Sequence, residues 1–491
     1  MKRKRFIVFF AAVLIFLMSC GESEPKNILA VNGSEINAEP DNAGPEPDIA
    51  AEDLFKDDLG EFDFDGYVFT FMTRDVDFIN VKIDFEELTG EILEDAIFER
   101  NRRIEERFNI IFRNPINYDS NRVRNSIRAG DNEYDVVMTR NADAFTTFAM
   151  EGLIHGLDNF TYIDLDKPYW DMNVTNELSV ANKRFFTAGA FNLSAYDFVH
   201  VLIFNKNLLA DYGLKDPYEM VKNGSWTFEA YEEMAKGATR SLTGGGPLTR
   251  DDAFGFLSAP KQVLPCFWIS SGLKSIGKDA DGIPYSMMTG ERFFEVFERI
   301  FAMTWDNDSW FANTWGENIP AQHLEMFQNN QALFMNCTFF YLASLRNMES
   351  DFGILPYPKY NAQQEKYYSR MEGCDLFFAP ISAPQEALDR TSVILEALAS
   401  DSAANVVPVY YELALKTKFT RDEESAEILD LLFENRIFDL GDTAWGDRIR
   451  DPIFAPMFQS NNRNLASRLE SIERTVDQLI ERTVEAFERL D

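Results

Sequence analysis

The sequence predicts an α/β fold. Short aromatic and β-branched runs recur along the chain, and segments with apolar residues at helical spacing lie between them. The first of these alternate strand, helix, strand, helix, strand, which is the pattern of a parallel sheet covered by helices. Order begins near FDFDGYVFTFMTR (62–74), where YVFTFMT reads as a buried strand entered from a turn at Asp65-Gly66. Leu93, Ile97, Ile104 and Phe108 then share one helical face, with charges opposite. NIIF (109–112) is a short strand, NRVRNSIRAG (121–130) a helix closed by Gly130, and YDVVMTR (134–140) a third strand. FTTFAMEGLIHGLDN reads as a further helix running into a loop.

The middle of the chain has the same texture. KRFFTAG (183–189) and DFVHVLIFN (197–205) read as strands, as do QALFMNCTFF (331–340), DFGILPYP (351–358) and DLFFAPIS (375–382). NGSWTFEAYEEMAKGA starts a helix with Thr227 as N-cap, so Trp226 and Tyr231 fall at the two positions of a hydrophobic staple. In the tail, Leu465, Leu469, Ile472, Val476, Leu479, Val484 and Phe487 mark an amphipathic helix. It reads as a terminal helix packed on its own lobe rather than a coiled coil.

The chain opens MKRKR, followed by the uncharged run FIVFFAAVLIFLM (6–18). That run is short of the roughly 20 residues a bilayer span needs. A basic start, a short apolar stretch and a small residue, Ser19, before Cys20 describe a secretory signal over 1–19. Residues 20–60 are rich in Glu, Asp, Pro, Asn, Gly and Ala, a composition that buries too little surface to order itself, and read as a flexible tether. The rest is long enough for two or three domains.

Hydrophobic residues make up 45% of the chain and aromatic residues 14%, with 44 Phe, so large cores can be filled. The formal net charge of −34 argues against nucleic acid and anionic membrane as surfaces to bind, because both are held through clustered Lys and Arg. Cys266, Cys337 and Cys374 are widely spaced and form no CxxC pair, so three buried thiols are the expectation. His155, His200 and His323 lack metal-ligand spacing, and no cofactor is called for. KDADGIP (278–284) is better read as a hairpin turn than as a calcium loop. No nucleophile elbow, HExxH, P-loop or GxGxxG occurs, and with 81 acidic residues no acid–base pair can be picked out.

The tryptophans say more. Trp268, Trp305, Trp310 and Trp315 lie close together among polar neighbours, and Trp170 sits in DKPYWDMN. Sugars offer apolar C–H faces rimmed by hydroxyls, and flat aromatic surfaces beside Asp, Asn and Arg suit them. On that ground Trp170, Tyr196, Trp268 and Trp310 are the expected aromatic platforms. The rule that open α/β sheets bind ligands outside the carboxyl ends of their strands selects Thr73 and Arg74, then Arg140, Asn141 and Asp143, then Asn336 and Phe339.

Leu17-Met18-Ser19-Cys20 resembles a bacterial lipobox, which implies a lipid on the Cys20 thiol and a protein tethered at the extracellular face of the cytoplasmic membrane. YDVVMTRNADAFTTFAMEGLIHGLDN, HVLIFNKNLLADYGLKDPYE followed by NGSWTFEAYEEMA, and NQALFMNCTFF followed by DFGILPYP are together similar to the carbohydrate-type extracellular solute-binding proteins of ABC importers. The resemblance covers most of 62–420. It implies a two-lobed periplasmic-binding-protein-like fold with hinge-crossing strands and an interlobe cleft. The implied N-terminal lobe is 61–200 plus about 372–415, and the implied C-terminal lobe 201–371 plus about 416–491. It also implies a monomer that captures a carbohydrate without altering it and delivers it to the permease subunits. CTFF after Asn336 stands where relatives often carry a tryptophan, which leaves the sugar open. A cell-surface glycan hydrolase, a peptide-binding lipoprotein and a sensory lipoprotein are the alternative readings.

Overall fold

In the computed structural model the described residues are 54–76, 79–115, 117–310, 319–345, 348–416 and 423–490. The signal, Cys20, most of the tether and Trp315 lie outside them. In chain order the strands are β1 (Tyr67–Met72), β2 (Ile110–Arg113), β3 (Val136–Arg140), β4 (His200–Asn205), β5 (Phe254–Leu257), β6 (Ile276–Lys278), β7 (Pro284–Ser286), β8 (Ala332–Thr338), β9 (Phe352–Leu355), β10 (Ser369–Arg370), β11 (Asp375–Phe378) and β12 (Arg436–Ile437).

Eight of them build two four-stranded sheets, and β6 with β7 and β10 with β12 form separate pairs. The first has the order β11-β3-β1-β2. Strand β1 pairs parallel with β2 and β3, as the strand–helix alternation predicts. Strand β11 is antiparallel to β3, with Asp375 opposite Arg140, so the sheet is mixed rather than wholly parallel. It arrives from the far half of the chain, so no local crossover helix dictates its direction. The second sheet, β5-β8-β4-β9, pairs β4 antiparallel to both β8 and β9, and β5 parallel to β8.

Local chemistry fixes several elements as expected. Asp119 caps the helix Ser120–Ala129, and Gly130 closes it in the left-handed conformation at φ 75°. Thr227 accepts from the Ala230 N–H, and Trp226 packs edge-on against Tyr231 at 6.3 Å. KDADGIP makes the turn of the antiparallel β6–β7 hairpin. The three cysteines are free and buried.

Two expectations fail. KRFFTAG is not a strand: it forms only the isolated bridges Val180–Lys183 and Trp170–Gly189. Phe185 and Phe186 are both buried, and Ala181 and Asn182 turn the chain at φ 50° and 60° just before them. FTTFAMEGLIHGLDN does run from a helix into a loop, the helix being the π-helical stretch Ala144–Ala149 and the loop bridging at Ile154–Pro380. The tail helix Leu465–Arg489 does not stay on one lobe. Near its start Arg468 donates to the Pro452 carbonyl at 3.1 Å, while Phe487 packs on Phe145 and Phe185 of the first lobe, and Lys183 Nζ donates to the Leu490 carbonyl. Its 25 residues rise about 37 Å, enough to strap one lobe to the other. Gln385–Glu412 is long and apolar enough to cross a membrane by length and composition, but 72% of its most apolar window is buried inside the protein.

Asp197, where the chain leaves the first lobe, is buried and accepts from the Asn80 N–H at 2.6 Å and the Tyr410 hydroxyl at 2.7 Å. Burial outweighs these bonds and pushes its carboxyl up to about 6. The folded state therefore holds this proton more tightly than the unfolded chain. The stability it contributes is full below about pH 4 and is lost as pH rises through about 6. Denaturation measured from pH 4 to 7 should show wild-type stability falling relative to Asp197→Asn by up to about 3 kcal/mol.

Candidate functional site

The segment Met371–Asp375 runs from the second sheet to the first, and the strand ends gather around it. Met371 bridges Val199, and the Glu372 N–H donates to the Phe198 carbonyl at 3.1 Å, just before β4. The Phe339 N–H, just after β8, donates to the Val199 carbonyl at 3.0 Å. On the other side the Asn141 N–H, just after β3, donates to the Cys374 carbonyl at 2.9 Å. Gly373 lets the Asn141 side chain come close, since a Cβ would lie 2.5 Å from Asn141 Oδ1. The carboxyl ends of β3 and β8 thus both come to this crossing region, and the space beside it is the candidate crevice.

From the first lobe, Arg74 forms a two-bond pair with the fully buried Asp375, at 2.9 and 2.5 Å, and keeps 18% of its side chain exposed. Thr73 is buried and donates to Asn114. Arg140 reaches solvent with 58% of its side chain exposed, and touches Asp143 at 3.2 Å. Asn141 is buried against Gly373, so it shapes the crevice rather than facing it. From the second lobe, Asn336 is half-buried. Its Oδ1 accepts from the Tyr357 hydroxyl at 2.6 Å and lies 3.0 Å from His200 Nδ1. His200 Nε2 is 3.2 Å from the Glu372 carboxylate.

Glu372 is the residue that sequence reasoning missed. Its carboxylate accepts from Gln262 Nε2 at 3.2 Å and pairs with Arg450 Nη1 at 3.2 Å. Burial opposes its charge, but the guanidiniums of Arg370 and Arg450, with His200, hold it well below the usual carboxylate range. Arg370, with no exposure, is held in turn by Asp442 through bonds of 2.5 and 3.0 Å. Arg450 opens one π-helical turn, and another, Ala144–Ala149, follows Asp143 directly. Such turns often re-aim side chains at functional sites. The one available signal was Arg370-Met-Glu372, a charged pair at the entrance to a strand-like run.

The aromatic expectations fare differently. Trp268 is buried between Phe293 and Phe454, and its indole N–H donates to Asp439. Trp310 is buried against Trp305 and Phe458, with its N–H on the Ser258 carbonyl at 2.9 Å. Phe339 packs on Tyr410 and Phe433. All three are core residues without a free face, because apolar neighbours distant in sequence surround them. Trp170 and Tyr196 are also nearly buried, and line a separate cavity. The half-buried aromatics at the strand ends are Tyr118, whose hydroxyl pairs with Thr139 at 2.7 Å, and Phe340, which stands edge-on to Phe198 at 5.6 Å. Among the described residues no cluster of His, Cys, Asp and Glu could hold a metal ion.

Asp442→Asn should strand the buried Arg370 guanidinium and lower stability by about 3–5 kcal/mol. A denaturant midpoint shifted to lower concentration, with an unchanged slope, is the expected reading.

No family model matches the chain, and no curated protein matches it. Solved structures do. A sugar transporter from Rhizobium etli in an open conformation aligns with TM-score 0.57 at 14% identity, covering 87% of this chain and 100% of that one. The sugar-binding protein MalE from Xanthomonas citri aligns with TM-score 0.57 at 13% identity, over 86% and 100%. An ABC substrate-binding protein from Listeria monocytogenes in complex with cycloalternan aligns with TM-score 0.53 at 12% identity, over 85% and 100%. The chain therefore has the two-lobed α/β fold of ABC solute-binding proteins.

Proposed function

We propose that this chain is the ligand-capturing component of an ABC importer, that its ligand is a neutral carbohydrate of oligosaccharide size, and that it passes this ligand unaltered to membrane permease subunits. The observation that supports this most is the composition of the crevice. Arg74, Arg140 and Asp143 stand at the first-sheet end of Met371–Asp375, and Asn336 and Glu372 toward its second-sheet end, with Tyr118 and Phe340 as half-buried aromatics. Charged and amide groups can bond sugar hydroxyls, and aromatic rings can cover the C–H faces. The solved structures of this fold cited above include proteins described as sugar-binding or holding a cyclic oligosaccharide. Glu372 and Asp375 are each tied to arginine, which suits holding hydroxyls and not protonating a leaving group.

Binding between the lobes would favour the closed arrangement by the ligand's greater affinity for it. The tether and a lipid on Cys20 would keep the protein at the outer face of the cytoplasmic membrane. Titration calorimetry with linear and cyclic glucans should give saturable heat at one site per chain. Arg140→Ala should weaken it by about tenfold with no change in melting temperature, because that side chain is largely solvent-exposed. Silence across a broad panel of neutral glycans would sink the carbohydrate reading, and release of reducing ends would replace it with hydrolysis. Labelled fatty acid should enter the wild type but not Cys20→Ser, which should leave the membrane fraction.

A further inference from the structure

A cavity of ≈ 470 Å³ opens between the helix Pro217–Lys222 and the helix Glu423–Glu434, and shares no lining residue with the strand-end crevice. Its size is that of a small-molecule pocket. Val221, Ile428 and Leu431 give it apolar walls. Tyr367 stands among them, its hydroxyl donating to the Val221 carbonyl at 3.4 Å.

Lys359 is the unusual member of the lining, because it is only 4% exposed. A lysine is almost never buried to this degree without a partner, since its ammonium loses hydration there. The backbone of Lys359 is tied down on both sides. Its N–H donates to the Trp226 carbonyl at 3.1 Å, and its carbonyl accepts from the Phe228 N–H at 2.8 Å. The side chain is not tied down. Its Nζ lies over the Tyr367 ring at 5.0 Å, and a Cβ on Gly224 would come within 3.3 Å of it. Tyr367 and Gly224 both line the cavity, so the ammonium is brought to the cavity wall. Among the described residues no hydrogen bond and no carboxylate meets it there. Burial lowers its pKa, and no charged neighbour opposes that shift. The glutamates of the lining are engaged or solvated: Glu427 is 3.8 Å from Lys222, and Glu365 and Glu434 are exposed. An aromatic face offsets only part of the hydration an ammonium gives up. The cavity thus offers one uncompensated cation beside apolar surface.

We propose that this cavity binds a small aliphatic monocarboxylate, its carboxylate paired with Lys359 Nζ and its hydrocarbon chain laid on Val221, Tyr367, Ile428 and Leu431. A single ammonium matches a single negative charge, and the apolar walls leave no place for a second. The formal net charge of −34 repels anions in general, so one that binds has to be held by local contacts. The site does not rest on the reading of the carbohydrate crevice.

The test is calorimetry of the full chain near neutral pH with hexanoate. The comparison ligands are 1-hexanol, a neutral molecule of the same length, and adipate, the dicarboxylate of that length. Saturable binding of one hexanoate per chain is expected, with no heat from hexanol and with adipate weaker than hexanoate. Lys359→Met should weaken hexanoate binding by about tenfold or more. Its melting temperature without ligand should equal or exceed that of the wild type, because an unpaired buried charge is removed. Leu431→Glu places a carboxylate on an apolar wall and should also weaken hexanoate, which keeps the test open should Lys359→Met fail to fold. Glucan titrations on Lys359→Met should match the wild type, so a failure here is separable from a failure of the carbohydrate reading. No saturable heat from hexanoate, equal binding of hexanol or adipate, or an unchanged hexanoate affinity in either variant would each overturn the proposal.

Discussion

The two lobes are organised around a cation with no access to water. Arg370 carries a full charge at zero exposure, and the Asp442 carboxylate, the Gln262 amide, the His200 ring and nearby Glu372 make that tolerable. A buried charge of this kind is strongly directional: its partners must arrive at set positions or the fold loses several kcal/mol. The partners come from four separate stretches of sequence, at 200, 262, 370–372 and 442–450. Satisfying Arg370 therefore fixes where β4, the helix Pro260–Ser270, the crossing segment and the C-terminal region meet. The crevice is the solvent-facing edge of that arrangement.

The same network explains why the site is polar on one side and preorganised. Asn336 and Glu372 do not hang into open solvent. Tyr357, His200, Gln262 and Arg450 hold them, so their orientation is set before any ligand arrives. Arg74 is fixed by Asp375, and Arg140 remains the exposed member. A rigid wall facing one adaptable cation limits the ordering cost of capture.

Much of this was legible in the sequence where the signal was local. Aromatic and β-branched runs gave β1, β3, β4, β8 and β9, because strand chemistry is written within a few residues. Thr227, Gly130 and the KDADGIP turn were legible for the same reason. Polar residues at the carboxyl ends of β1, β3 and β8 could be picked out by topology alone, and Arg74 pairs with Asp375, Arg140 lies opposite it, and Asn336 bonds His200. What could not be read depends on distant neighbours. Trp268 and Trp310 sit among polar residues in sequence but among Phe293, Phe454 and Phe458 in space. Glu372 has no motif of its own, since apart from Arg370 its partners lie far away in the sequence (Gln262 is 110 residues away, for example). The tail helix showed its apolar face but not that this face is shared between two lobes.

The account stands on one location, the crevice where the ends of β3 and β8 converge on Met371–Asp375. Electron density from a crystal grown with a linear glucan that binds in solution tests it most directly. The account predicts sugar rings lying between Arg140 and Asn336, with a hydroxyl bonded to the Glu372 carboxylate. Density placed in the Trp170–Tyr196 cavity or on an outer face, with Arg140 and Asn336 left in contact with solvent alone, would contradict it.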